Sequence, residues 1–205
     1  MGARIAARIA TRIAAASAVL GAGAVLGLVG ALAAKGGTVP FRAAGVVFAG
    51  GWPWACFGFL VGYVRRSKAE AALLAPAGLG VGVAVYYLCK ALSPAAPIGV
   101  VVSGEPQAQV NWAGVLMWGA AAVLFGAPLG VLGNLARNPG VAGLPFRVLV
   151  PLTAFCETSM RLGAEAAAGP VATAVWSTVR VLAVLAAVTL AGHTAWRWRR
   201  PADTR

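Results

Sequence analysis

The sequence predicts an all-α, polytopic membrane helix bundle of six transmembrane helices with both termini cytoplasmic. Three observations carry that expectation. Of 205 residues, 60% are hydrophobic and 11% charged, with a mean hydropathy of +0.82, whereas soluble domains carry about 25% charged residues. The hydrophobic residues fall in runs of about twenty, the length that crosses a hydrocarbon core ~30 Å thick. The basic residues sit at the ends of those runs rather than on one solvated face. Such cationic flanks set orientation in a bilayer and meet anionic headgroups. The net charge of +12 is therefore read as a partnership with the lipid bilayer, and nucleic acid is not an expected partner. Residues 1–205 form a single integral membrane domain.

The first span is expected at 13–34. Arg4, Arg8 and Arg12 precede it, a basic stripe beside Ile5, Ile9 and Ile13 at four-residue spacing. "ALA" at 31–33 resembles a signal-peptidase site, but the hydrophobic region exceeds the ~7–15 residues of a signal peptide, so a retained anchor is expected.

The second span, 43–64, is interrupted. Gly50, Gly51 and Pro53 lie near its middle, and proline lacks an amide hydrogen and clashes with the preceding turn, so a break or kink is predicted there. Residues 41–50 are then either the first half of a kinked helix or a re-entrant or interfacial piece. Arg65, Arg66 and Lys68 close the segment.

The third span, 71–92, carries Gly78 and Gly82 four apart, a spacing that lets another helix approach closely. Tyr86 and Tyr87 suit the far interface, where Lys90 can snorkel outward. The fourth span, 112–132, contains Gly126 and Pro128 and is expected to kink toward its second end. The fifth, 143–162, is the least apolar. The sixth, 175–196, has Trp176 as a marker of one interface, and Trp196 and Trp198 as markers of the other.

Charge supports the count. Eleven of the seventeen basic residues fall on the inner side of a six-span arrangement, and only Lys35 and Arg42 fall in outer loops. Without a crossing at 143–162, "RWRRPADTR" would lie outside and the bias would worsen.

That fifth span holds the most unusual residues. Glu157, Arg161 and Glu165 lie four apart in a chain with only five carboxylates, so all three share one helical face. Arg180 and Lys90 are expected at a similar depth near the outer ends of their helices, with Glu105 in the outer loop. A charged group at membrane depth costs about 2.5–3.5 kcal/mol on insertion scales and is normally paired. Three readings follow. Glu157 neutralises a neighbouring arginine and fixes helix packing; or Glu157, Arg161, Arg180 and Lys90 line an outward-open pocket for an anionic or zwitterionic ligand; or Glu157 is a proton-coupled or catalytic carboxylate.

Catalytic signatures are missing: no HExxH, GxSxG or GxxxxGK[ST] occurs. His193 is the single histidine, a poor basis for a metal site. Cys56, Cys89 and Cys156 form no CxxC pair and are read as packing residues. No metal and no cofactor are expected, and enzymatic activity would require a carboxylate mechanism without a recognised motif.

Three stretches, "GGWPWACFGFLVGYVRRS", "WGAAAVLFGAPLGVLGNLAR" and "PFRVLVPLTAFCETSMRLGAE", resemble a family of actinobacterial multi-pass membrane proteins of about two hundred residues. The resemblance covers the chain from Trp52 to Glu165. It implies a multi-pass fold in a bacterial plasma membrane and no particular activity. Size and span count are also similar to the six-helix substrate-binding subunits of vitamin importers, an analogy of architecture alone. The expectation is a small-molecule transporter or a ligand-binding transport subunit, as a homo-oligomer or with a separate energising subunit. The alternative is a structural or assembly protein whose ion pair only locks helices.

Overall fold

The computed structural model describes residues 2–33, 35–92, 110–164 and 169–199. Glu105, Glu165 and Asp203 lie outside them. The described residues are helical, with no strand among them. The helices are α1 (Gly2–Ala33), α2 (Val39–Ala49), α3 (Trp52–Val64), α4 (Lys68–Leu92), α5 (Trp112–Leu135), α6 (Leu144–Arg147), α7 (Leu149–Ala164) and α8 (Pro170–Arg199). A 3₁₀ turn, Gly140–Gly143, leads into α6.

Five segments are long and apolar enough to cross a membrane: α1, α4, α5, residues 140–164, and α8. The pair α2–α3 makes a sixth, bent by 65° at its break. At 1.5 Å per residue, α3 reaches about 20 Å, and α2 at that angle adds about 7 Å, close to a full hydrocarbon thickness. Its ends also lie at opposite ends of the bundle. Lys35 reaches the Cys89 carbonyl at 3.2 Å, whereas Arg65 donates to the Ala15 carbonyl at 3.3 Å. The segment at 39–64 is therefore one broken span.

Glycine decides how the helices meet. A Cβ on Gly23 would fall on the Gly78 carbonyl, and one on Gly27 on the Gly82 carbonyl. The pair Gly78 and Gly82, legible in the sequence, thus meets a matching pair on α1, so α1 is an integral part of the bundle. On the opposite side of α4, Gly126 of α5 packs on Pro76, and Gly130 on Ala71. Gly133 faces the Phe59 carbonyl of α3, and Gly62 faces Gly130. Small residues let backbones touch where lipid supplies no hydrophobic force between helices. Those contacts set the order α1–α4–α5–α3, while α8 lies against α7 and α2.

At Gly126–Pro128 the helix is not interrupted: α5 runs from Trp112 to Leu135 with Pro128 inside it. Gly126 makes the contact with Pro76, and a packed bundle tolerates the hydrogen bond that proline omits.

The outer surface is apolar, as lipid requires. Leu73, Leu116, Val123, Leu124, Phe125 and Val188 are all exposed.

Candidate functional site: a charged latch across a broken helix

The break at residues 50–51 creates two helix ends inside the membrane span. The last carbonyls of α2 and the first amides of α3 have no partner within their helices, and in a bilayer such groups cost several kcal/mol each. At the end of α2 the Trp54 indole donates to the Phe48 carbonyl at 3.2 Å, but Gly51 supplies no side-chain cap for the amides of α3. Pro53 removes one of the orphan donors by having no N–H. Gly51 and Trp52 retain theirs.

Glu157 fills the gap from α7. Its Oε1 accepts from the Gly51 amide at 2.8 Å, and its Oε2 from the Trp52 amide at 2.8 Å. The carboxylate is thus a long-range cap for α3, placed where the partial positive charge of a helix N-terminus favours an anion. A Cβ on residue 50 would crowd the Val47 carbonyl at 3.1 Å and the Trp52 ring at 3.2 Å, so glycine suits the break itself.

Arg161 completes the arrangement one turn along α7. Its Nε donates to Glu157 Oε1 at 3.0 Å, and its terminal nitrogen to the Ala49 carbonyl at 3.1 Å. Its guanidinium also lies 5.0 Å from the centre of the Trp176 ring, within cation–π range. One ion pair therefore serves both ends of the interruption: the anion meets the amide end of α3, the cation the carbonyl end of α2. The pair is well sheltered, with side-chain exposures of 28% for Arg161 and 21% for Glu157.

Trp176 corrects the sequence reading. It is 2% exposed, the largest fully buried side chain among the described residues, and lies beneath Arg161 instead of marking an interface. Trp196 and Trp198 are exposed, as interface markers are.

The structure joins two of the four residues proposed from the sequence to line a pocket. Lys90 stays on α4, where its Nζ approaches the Tyr86 hydroxyl at 3.3 Å and sits 5.0 Å from that ring's centre. Tyr86 in turn packs edge-on against Trp54, with centroids 6.2 Å apart. Arg180 is exposed and makes no hydrogen bond or ion pair among the described residues. Equal depth did not mean a common site, because depth along a helix leaves its facing direction open.

A shallow groove of about 670 Å³ runs along α7 past Cys156, Glu157, Met160 and Arg161. Close to the break, the Trp52 indole N–H is buried without a hydrogen-bond partner. No three histidine, cysteine or acidic side chains come together as a metal site among the described residues. The amides of Gly51 and Trp52 and the carbonyl of Ala49 carry no sequence signature, and only the glycine–proline cluster hinted that backbone groups would be freed there.

Comparison with protein-family models, curated proteins and solved structures finds no match for this chain.

Proposed function

We propose that this protein is a structural or assembly component of a bacterial plasma membrane, related to the actinobacterial family that the sequence resembles. On this reading Glu157 and Arg161 form a latch that holds a broken span in one shape. The observation that carries it is the complete use of both charges. The carboxylate is occupied by two backbone amides and a guanidinium, and the guanidinium by a carboxylate, a carbonyl and an indole ring. A charge already satisfied in this way offers little to a solute.

A second reading is supported by the break itself. Interrupted spans free backbone groups for ligands in secondary transporters, the groove along α7 gives access to Glu157, and the Trp52 indole N–H is unpartnered. A carrier would bind an anionic or zwitterionic solute in exchange for the internal carboxylate, as a homo-oligomer or with a separate energising subunit.

Native mass spectrometry of protein extracted gently from its host, beside Glu157→Gln, separates the two. A small molecule retained by the wild type and lost from the variant would support the carrier. Bare protein in both forms, or the same protein partner in both, supports the latch.

A further inference from the structure

The other end of the bundle gathers cations, and the acid described there, Glu70, already pairs with Arg12. Arg65 reaches α1 there, and the Arg65 carbonyl accepts from Asn134 and, at 2.9 Å, from Arg137. Gly140, with φ +71°, turns the chain so that the 3₁₀ turn and α6 fold back under the end of α5. This turn places Arg147 where its Nε donates to the Ala136 carbonyl at 2.8 Å and a terminal nitrogen to the Asn138 carbonyl. The last turns of α8 then bring His193, Thr194 and Arg197 alongside.

Between them lies a cavity of about 230 Å³, walled by Arg137, Arg147, His193 and Arg197, together with Pro139, Gly140 and Thr194. Three guanidinium groups converge on it, and among the described residues no carboxylate lines it. The two ion pairs among the described residues, Arg12–Glu70 and Arg161–Glu157, lie elsewhere. Like charges drawn into one cavity repel, and an anion offsets that repulsion. Two of the three are held by backbone carbonyls yet keep further N–H donors, since a guanidinium has five. Arg197 has no hydrogen-bond partner among the described residues. A set of forked, pre-positioned donors suits a tetrahedral oxyanion better than a single carboxylate.

We propose that this cavity binds a phosphate group, carried either by the headgroup of an anionic phospholipid or by a free phosphorylated compound. Its position accommodates a headgroup. It opens at a bundle end beside the exposed Trp196 and Trp198, residues that sit at headgroup level. Basic pockets between spans on that side of a membrane hold such headgroups. The site is independent of the latch, which lies toward the opposite end.

The test is thermal unfolding of the full-length protein in dodecyl maltoside at fixed ionic strength. Phosphatidylglycerol, phosphatidylcholine and inorganic phosphate are titrated separately. Saturable stabilisation by phosphatidylglycerol but not by phosphatidylcholine or inorganic phosphate assigns the site to a lipid headgroup. Saturable stabilisation by inorganic phosphate assigns it to a free phosphorylated compound. In either case Arg197→Gln should weaken the apparent affinity about tenfold, the loss of one charge-assisted hydrogen bond, and Arg197→Lys should recover part of it. His193→Gln serves as a second variant on the same wall. No stabilisation by either phosphate probe, or equal stabilisation in wild type, Arg197→Gln and His193→Gln, overturns the proposal.

Discussion

Changing Glu157 to Gln is the most direct test of the latch. The carboxylate accepts hydrogen bonds at 2.8, 2.8 and 3.0 Å. A glutamine retains one acceptor oxygen and loses the charge. Hydrogen bonds to charged groups contribute about 1.5–3 kcal/mol each, and removing one member of a buried pair costs about 3–5 kcal/mol. With one acceptor retained and the pair partly exposed, Glu157→Gln should destabilise by about 2–3 kcal/mol. Arg161→Gln loses the ion pair, the Ala49 contact and the Trp176 stacking, again about 2–3 kcal/mol. Both single changes break the same ion pair, so the double variant should lose about 1–2 kcal/mol less than the sum. At roughly 2–4 °C per kcal/mol for a chain of this size, each single variant should melt about 4–12 °C lower. Tryptophan fluorescence during heating in detergent reads all four proteins. Losses that add to within about 0.5 kcal/mol would refute the coupling, and a wild-type melting point for Glu157→Gln would refute the latch.

Two further outcomes follow from the packing. Gly23→Leu should abolish a monodisperse peak in size-exclusion chromatography, because even its Cβ would strike the Gly78 carbonyl, whereas Gly21→Leu should be tolerated, since nothing lies within 4 Å of a Cβ there. Lys90→Gln and Arg180→Gln should each change stability by no more than about 0.5 kcal/mol. Neither touches the latch. A loss from Arg180→Gln as large as that from Arg161→Gln would show that the two arginines share Glu157.

The break in the second span was legible because its cause is local: Gly50, Gly51 and Pro53 disfavour a continuous helix whatever surrounds them. The same holds for Gly78 and Gly82, whose spacing alone defines a face, and for Glu157 and Arg161, whose four-residue separation permits contact within one helix. What α7 would meet was not legible. The partners of its charges are backbone amides and a carbonyl far away in the chain, and backbone groups have no residue identity to read. Trp176 misled for a related reason, since an aromatic near a helix end suits a lipid interface or a buried platform equally well until the neighbouring helix is placed. His193 was set aside as a poor metal ligand, and its place among arginines depends on the turn at Gly140 folding α6 beneath α5.

The separation between the latch and the break, 106 residues from Gly51 to Glu157, also has a consequence in time. Synthesis runs from the N-terminus, so α2 and α3 leave the ribosome long before α7 exists. During that interval the amides of Gly51 and Trp52 have neither their carboxylate nor a side-chain cap of their own. The early chain must keep this region hydrated near the membrane surface or hold it in the insertion machinery. Only when α7 enters, bringing both charges already paired, does the interrupted segment acquire a permanent partner. The charged helix therefore arrives as a neutralised unit, and its insertion and the settling of the broken span become a single late event.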